Sequence, residues 1–288
     1  MIKIQDILNR YNIKPNKFMG QNFLIDENVL NKIIETANIK PNDIILEVGP
    51  GLGNLTLELA KRAERVIAIE KDRELCEILE KILKDNNIKN VQIINDDILK
   101  MGDIARPHVG RAMSYMVVAN IPYYLTSPLI RMFLETENKP SEIILMIQKE
   151  VAQRICASPP TKSPKAIGPE LRSSSRAKMS LLAVSVQFYA KPEIISFVSK
   201  NSFYPVPKVD SSIIKIVPYN TKNVGRPTSN IDTEKFFKLV KMGFSAKRKM
   251  LKNNIPEINF EKLNLNPGIR AESLTINDWI KIYEQFNP

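Results

Sequence analysis

Short apolar runs alternate with stretches of helical periodicity along most of this chain. Runs such as Ile44–Leu46, Val66–Ile69 and Met116–Ala119 have the length and continuity of strands that are buried on both faces. Between these runs, apolar residues recur three or four positions apart, as in Leu75, Ile78 and Leu79, which indicates amphipathic helices. The alternation extends from residue 44 to about 219 and predicts an α/β fold with a parallel, Rossmann-like sheet.

The same pattern predicts the remaining elements. A short amphipathic helix opens the chain, and Asp26 and Asp232 each stand where an N-cap would begin a helix. Glu193–Val198 and Ser212–Val217 would form an antiparallel hairpin at the sheet edge, with Phe203–Val209 in the loop between them. Further strands are expected at three apolar runs, Val91–Ile94, Ile143–Ile147 and Leu181–Tyr189.

The pattern changes after Tyr219. Residues 220–231 include Gly225 and Pro227 among polar residues and are typical of a linker. We therefore expect one domain over residues 1–219 and a small helical domain over residues 232–288. The core of the second domain would come from its apolar residues, Leu263, Leu265, Leu274, Trp279, Ile280, Tyr283 and Phe286.

Two stretches that follow predicted strands carry the candidate chemistry, Glu47–Gly53 and Asn120–Tyr123. In an open parallel sheet, ligands bind outside the carboxyl ends of the strands, so both loops can face one pocket. The glycines of the first loop allow its backbone to approach a ligand, and Glu70, at the end of the next run, suits a ribose diol. The charge of Glu47 argues against a pyrophosphate. Taken alone, this loop also fits a strand–helix turn that binds nothing.

Composition narrows the range of possible functions. Lysine and arginine outnumber acidic residues 42 to 31, giving a formal charge of +11, which favours a polyanionic partner but also fits a merely soluble basic protein. The cysteines are Cys76 and Cys156 and the histidine is His108, so a zinc site, a Ser-His-Asp triad and a disulfide framework are not expected. Without a membrane-length apolar run or a signal-like N-terminus, we expect a cytoplasmic protein.

Six motifs, in order along nearly the whole chain, resemble the small-subunit rRNA adenine N6,N6-dimethyltransferase family. They are Gly20–Leu24, Glu47–Gly53, Asn95–Asp97, Asn120–Tyr123, Phe203–Ser211 and Phe244–Leu251. The resemblance implies a class I methyltransferase sheet that uses S-adenosyl-L-methionine. It also implies transfer of methyl groups to N6 of two adjacent adenosines in small-subunit rRNA during ribosome assembly. The partner would be this rRNA or the assembling subunit, with no metal or membrane, and the protein would be a monomer.

The resemblance also assigns roles to residues. Cofactor contacts are implied for Gln21, Asn22, Leu24, Glu47, Gly49, Gly51, Gly53, Glu70, Asp97 and Asn120. Catalytic roles are implied for Asn120, Pro122, Tyr123 and Phe203, and RNA contacts for Lys247, Arg248 and Lys249. Other interpretations remain open: Asp96 or Asp97 as a solvated turn, Tyr123 and Phe203 as core aromatics, Tyr124 as the stacking ring, and the basic run as a solvated helix face.

Two segments, 103–115 and 158–178, depart from the family pattern. The second is rich in Pro, Ser, Lys and Arg, as flexible loops are, and it lacks the Tyr-Gly pair that the family usually has there. We interpret both as divergent or grafted loops that would affect substrate binding more than cofactor binding. Two other functions remain open, a large-subunit adenine methyltransferase of the antibiotic-resistance type and a ribosome-assembly or nucleic-acid-binding factor with a weakened site.

Overall fold

A computed structural model describes residues 3–16, 18–101, 114–159, 178–219, 231–246 and 248–287 of the chain. The strands are β1 (Phe23–Leu24), β2 (Ile44–Val48), β3 (Arg65–Glu70), β4 (Val91–Asn95), β5 (Tyr115–Asn120), β6 (Ile143–Gln148), β7 (Ala190–Val198), β8 (Phe203–Tyr204) and β9 (Ser211–Pro218). The α-helices before residue 140 are α1 (Ile4–Arg10), α2 (Glu27–Ala37), α3 (Asn54–Ala60), α4 (Arg73–Asp85), α5 (Ile98–Met101) and α6 (Thr126–Glu135). Those that follow are α7 (Lys149–Ile155), α8 (Leu181–Tyr189), α9 (Thr233–Gly243), α10 (Leu251–Asn254) and α11 (Ile276–Phe286).

The main sheet of the described residues has seven strands in the order β4-β3-β2-β5-β6-β9-β7. Strands β2 to β6 pair in parallel, and β9 runs antiparallel to β6. The chain winds outward from β2 in one direction through β3 and β4, and in the other through β5 and β6. The order reverses between β2 and β5, which is where open α/β sheets bind ligands. The predicted α/β class is confirmed.

Continuous apolar sequence explains the central strands. All residues of β2 are buried, and β5 is buried from Tyr115 to Ala119. Helices cover the sheet with one apolar face each: α2 buries Leu30, Ile33 and Ile34 against it. Asp26 caps α2 as predicted, because its Oδ1 accepts hydrogen bonds from the N–H groups of Asn28 and Val29.

One predicted element is wrong. Leu181–Tyr189 is the helix α8 and not a strand. A short apolar run does not by itself distinguish a strand from a buried helix. Here Ser180 caps the helix by accepting the N–H of Ala183, and the ring of Phe188 packs 4.6 Å from that of Phe236 in α9. An N-cap and an aromatic neighbour distant in sequence therefore decide the conformation.

The predicted edge hairpin is observed only in part. Strands β7 and β9 are neighbours at the edge of the sheet, as expected. The intervening stretch is not all loop, since β8 pairs antiparallel with β1 and brings Tyr204 opposite Phe23 and Phe203 opposite Leu24. This small ladder holds the segment before β2 against the segment before β9.

By the contacts among its residues, the chain divides into one unit of residues 1–152 and 193–218 and another of residues 153–192 and 219–288. This grouping differs from the linear division at residue 219, because residues 153–192 group with the C-terminal residues. The predicted division into a domain over residues 1–219 and a helical domain over residues 232–288 stays a prediction. In the second unit, Phe236, Val240, Leu274, Trp279 and Ile282 are each fully buried.

Several sequence expectations fall outside the described residues. They concern most of the atypical segments 103–115 and 158–178, residues 220–230 of the predicted linker, His108 and Lys247. In the part of the chain that the structure describes, no helix is long and apolar enough to cross a membrane.

Candidate active site

A cleft opens at the carboxyl ends of β2, β3 and β5 and encloses about 810 Å³, part of it open solvent. It is lined by five short segments of the first unit: Met19–Phe23, Val48–Gly51, Ile69–Lys71 with Leu75, Asp96–Ile98, and Asn120–Leu125. Both loops that the sequence selected therefore face one cavity.

The loop after β2 needs glycine for its conformation. Gly49, Gly51 and Gly53 all have positive φ, between 58° and 88°. At Gly51 a Cβ atom would also lie 3.1 Å from the ring of Phe23, so a side chain there would be strained and crowded. The N–H of Gly51 donates to Oε2 of Glu70 at 3.1 Å, which ties the loop to the end of β3.

Glu70 is held in place by the backbone. Its Oε1 accepts the N–H of Asp72 at 2.9 Å, and its Oε2 accepts that of Gly51. Burial raises the pKa of Glu70, the backbone N–H groups of Asp72, Gly51 and Lys71 oppose this rise, and the nearby Asp72 carboxylate adds to it. The carboxylate thus has a defined orientation at the cleft wall, which is the geometry that recognition of a diol requires.

Glu47 has a different position from the one that its predicted role implies. Its side chain is 1% exposed and does not line the cleft. Its pKa is raised to about 8, mainly by burial; the nearby Thr56 hydroxyl opposes this rise and the carboxylate of Glu70 adds to it. Glu47 Oε2 and Thr56 Oγ1 are nevertheless not in hydrogen-bonding geometry with each other or with any described residue. Glu47 is therefore a neutral carboxylic acid behind the loop at neutral pH.

The Met19–Phe23 segment closes one side of the cleft. Nε2 of Gln21 donates to Oδ2 of Asp72 at 2.8 Å, and Nδ2 of Asn22 donates to the carbonyl of Gly20 at 3.0 Å. Gly20 has a φ of 68°, and a Cβ there would lie 3.3 Å from Cβ of Pro122. This packing brings the segment against the Asn120–Tyr123 loop.

Asn120 is oriented by that segment. Its Nδ2 donates to the carbonyl oxygen of Asn22 at 3.3 Å, and no described residue donates to its Oδ1. The amide oxygen is thus available to accept a hydrogen bond from a ligand. The backbone of Pro122 has φ −55° and ψ 136°. The Pro122 carbonyl accepts the N–H of Leu125, and Tyr123–Leu125 form a 3-10 turn.

Tyr123 is fixed by its hydroxyl as well as by its backbone. The hydroxyl lies 2.8 Å from Oγ of Ser211 at the start of β9. Burial raises the pKa of the Tyr123 phenol, the Ser211 hydroxyl lowers it and the carboxylate of Asp210 raises it. The ring lines the cleft, so the structure places Tyr123 where a ligand can contact it.

An ion pair at the far end of the cleft was not anticipated. Nζ of Lys71 lies 3.0 Å from Oδ2 of Asp97, and Oδ1 of Asp97 accepts the N–H of Leu99. Burial would raise the pKa of Asp97, but Lys71 and the Leu99 N–H lower it overall. Asp97 therefore lines the cleft as an ionised acceptor, and the more exposed Asp96 lines it as well. With Glu70, the charged residues of the lining are mainly acidic, which suits a cationic ligand.

The structure does not bring all predicted site residues to the cleft. Leu24 and Phe203 face each other in the β1–β8 ladder and are buried in the core of the first unit. The Phe203 ring is 1% exposed, so stacking on a base would require it to leave this core. Gly53 caps α3, and a Cβ there would lie 2.5 Å from Cδ1 of Leu79. The predicted ligand contacts of these residues stay predictions.

The predicted RNA-contacting residues lie in the second unit. Arg248 and Lys249 are exposed, just before α10, whereas Lys247 is outside the described residues. Exposure is compatible with phosphate contact and also with a solvated surface. Their role stays a prediction.

Sequence reasoning missed Lys71 among the lining residues. Tyr124, which the sequence offered only as an alternative stacking ring, also lines the cleft and is 53% exposed. Lys71 follows the predicted ribose-binding acid directly. Nothing in its local sequence indicates that it pairs with Asp97, because this contact joins two neighbouring strand ends.

Comparisons with known proteins agree with this geometry. The family model for ribosomal RNA adenine dimethylase matches residues 12–287. The ribosomal RNA small subunit methyltransferase A of Dehalococcoides mccartyi strain CBDB1 is 39% identical, over 98% of this chain and 92% of its own length. That of Halothermothrix orenii is 38% identical, over 97% of this chain and 93% of its own.

Solved structures show the same fold. A dimethyladenosine transferase from Plasmodium falciparum superposes with a TM-score of 0.73 at 27% identity, covering 92% of this chain and 97% of its own. The 23S rRNA methyltransferase ErmE superposes with a TM-score of 0.70 at 24% identity, covering 93% of this chain and all of its own. The second likeness concerns the fold alone.

Proposed function

The chain belongs to the ribosomal RNA adenine dimethylase family, and on this basis we propose that it transfers methyl groups from S-adenosyl-L-methionine to N6 of adenosines in small-subunit rRNA. Relatives named as small-subunit methyltransferases are 36–39% identical over nearly the whole chain. ErmE, which is named for 23S rRNA, is less similar, at 24%. The small-subunit function is therefore favoured over the large-subunit alternative. Dimethylation of two adjacent adenosines, the assembling subunit as partner, a cytoplasmic location and a monomeric state are part of the same proposal.

The residues of the cleft fit S-adenosyl-L-methionine. Glu70 would accept hydrogen bonds from the ribose hydroxyls, and Asp97 would accept one from the adenine amine. Gly49 and Gly51 give the loop the positive φ angles that place its backbone at the cleft wall, and a side chain at either position would meet Pro122 or Phe23. The acidic lining suits a sulfonium cation, and the neutral state of Glu47 keeps a second buried charge away from Glu70. When bound, this cofactor supplies an electrophilic methyl group.

The orientation of Asn120 is the observation that carries the proposal. The exocyclic amine of adenine is a poor nucleophile because its lone pair is delocalised into the ring. Hydrogen bonds from this amine to Asn120 Oδ1 and to a backbone carbonyl would turn the lone pair toward the methyl group and stabilise the positive charge that develops on nitrogen. The Pro122 carbonyl already accepts the Leu125 N–H, so that of Ile121 is the better second acceptor.

The cleft also offers aromatic rings on which an adenine base that has left its stack in the RNA can stack. Extruding a base costs roughly a few kcal/mol, and stacking on an aromatic ring contributes about 1–3 kcal/mol. We assign this contact to Tyr123, which belongs to the Asn120–Tyr123 motif and lines the cleft together with Tyr124 and Phe23. After transfer, the alkylated ammonium is strongly acidic and loses its proton readily, so no dedicated general base is required.

Substitution of Asn120 tests this function. We expect Asn120→Ala to lower single-turnover methyl transfer to small ribosomal subunits by roughly 10²–10³-fold, by analogy with loss of one preorganised polar contact. Cofactor and RNA binding should change much less, because the contact strengthens as charge develops in the transition state.

Asn120→Asp is the matched control, since it keeps an acceptor oxygen and changes the charge. The assay is transfer of labelled methyl groups to purified small and large subunits, followed by mapping of the modified bases. Equal rates for the wild type and Asn120→Ala would refute the mechanism. Transfer by the wild type to large subunits only would favour the alternative substrate, and no transfer to either would favour a binding factor.

A further inference from the structure

The hydrogen bond between Tyr123 and Ser211 connects two segments that are 88 residues apart. Tyr123 follows β5, Ser211 begins β9, and β6 lies between these strands in the sheet. The 2.8 Å contact therefore passes over the end of β6. It links the Asn120–Tyr123 motif to a strand that contributes no residue to the cleft lining.

Ser211 is itself rigidly held. Its side chain is fully buried, and its backbone pairs with Gln148 in the β6–β9 ladder. The preceding residue, Asp210, accepts the Lys149 N–H at its carbonyl and the Lys200 N–H at Oδ1, at 3.0 and 3.1 Å. The Ser211 hydroxyl is thus a fixed point relative to the sheet.

Tyr123 would have more freedom without this contact. Its side chain is half-buried, and the residue lines the cleft. The backbone before it is restricted by Pro122, and the hydroxyl at the other end of the side chain is held by Ser211. A ring fixed at both ends is already ordered before a base arrives, so less conformational entropy is lost on stacking.

We propose that Ser211 is a positioning residue for methyl transfer, whose hydroxyl holds the Tyr123 ring in the orientation in which it stacks on the target adenine. This inference rests on the proposed function, because it assumes that the base enters this cleft. Ser211 does not line the cleft and acts only through Tyr123.

The next residue offers a matched control. Ser212 is as fully buried as Ser211 and lies on the same strand, but its Oγ makes no hydrogen bond to any described residue. Ser211→Ala and Ser212→Ala therefore remove the same atom from adjacent buried positions. Only the first removes a contact with Tyr123. Any general effect of a smaller side chain on β9 should appear in both variants.

The experiment measures single-turnover transfer to small subunits, cofactor affinity and thermal unfolding for both variants. We expect Ser211→Ala to slow transfer by roughly 2- to 10-fold, the range that follows from loss of one hydrogen bond. Its cofactor affinity should equal that of the wild type. Ser212→Ala should behave like the wild type in all three measurements, and Ser211→Thr, which keeps the hydroxyl, should restore most of the rate.

A double-mutant cycle with Tyr123→Phe separates positioning from packing. Tyr123→Phe keeps the ring and removes the hydroxyl, so adding Ser211→Ala to it should cost no further rate. Additive losses, or equal losses in Ser211→Ala and Ser212→Ala, would overturn the proposal and make Ser211 a packing residue. A wild type that transfers no methyl group to small subunits would refute the proposed function itself, which the same assay reports separately.

Discussion

At the scale of single residues, the site depends on which carboxyl groups are charged. Glu47 and Glu70 are buried close together, and the pKa of each is raised, mainly by burial. Glu70 keeps two backbone N–H donors that favour its charged form, whereas Glu47 Oε2 has no partner among the described residues. Glu47 is therefore the group that stays protonated, and Glu70 is the one able to serve as the carboxylate of the cleft.

This difference predicts a pH dependence of stability. Burial raises the pKa of Glu47 from its ordinary value of 4.5 to about 8 in the folded protein, so the folded state binds more protons than the unfolded state between these values. The free energy of unfolding should therefore fall as pH rises through this window and level off above about pH 8. Between about pH 6 and pH 9, Glu47 should contribute a loss of roughly 2–3 kcal/mol.

Urea unfolding of Glu47→Gln at these two pH values checks this expectation. The neutral glutamine should make the variant less sensitive to pH than the wild type. Glu58→Gln is the control, because Glu58 lies on the neighbouring helix α3 and its pKa is lowered overall by Lys61 and Arg62. The stability that Glu58 contributes is lost only at acid pH. An unchanged pH dependence in Glu47→Gln would mean that Glu47 ionises in the folded state near its ordinary pKa.

At the scale of elements, one side chain ties a helix to the β1–β8 ladder. Asp26 caps α2 through Oδ1, and its Oδ2 accepts the hydroxyl hydrogen of Ser202 at 2.8 Å. Ser202 stands just before β8, and its carbonyl accepts the N–H of Ile25, just after β1. The cap therefore also fixes the short ladder beside the cleft segment Met19–Phe23.

Loss of the Asp26 side chain should destabilise the protein by more than loss of an ordinary N-cap does. We expect Asp26→Ala to lower the free energy of unfolding by about 1–3 kcal/mol, since a cap contributes about 1 kcal/mol and the Ser202 hydrogen bond a similar amount. Asp26→Asn retains a capping oxygen and should cost less. Urea titration of both variants measures the difference, and a loss below about 0.5 kcal/mol in Asp26→Ala would show that solvent replaces both contacts.

At the scale of the whole molecule, the formal charge of +11 predicts salt-dependent binding to RNA. Each phosphate contact with single-stranded RNA contributes about −0.7 to the slope of log affinity against log salt. Combined alanine substitution of Lys247, Arg248 and Lys249 should reduce the magnitude of this slope by up to about 2 if all three contact phosphates.

The control removes the same charge from the first unit. Lys32, Lys61 and Arg73 are exposed and each forms an ion pair with a glutamate three or four positions away, and their combined substitution also lowers the net charge by three. If both triple variants change the slope equally, general attraction explains RNA binding. A slope unchanged by the first triple variant would identify the cluster as a solvated surface.

Local patterns in the sequence determine much of this architecture. Buried strands follow from continuous apolar runs, α2 from its cap and periodicity, and the loop after β2 from glycines that allow a positive φ. The meeting of the two motif loops also follows, because the carboxyl ends of parallel strands share one edge of a sheet. For these features, the residues that determine the structure lie within a few positions of each other.

Tertiary structure alone decided the remaining features. The aromatic partner of Phe188 in helix α8 lies in α9, and Phe203 is buried because β8 pairs with β1. The orientation of Asn120 depends on a carbonyl 98 residues away, and that of Tyr123 on a hydroxyl 88 residues away. Local periodicity and turn chemistry are set by neighbours in the chain, whereas a side chain's partner is set by which segments the completed fold brings within about 3 Å.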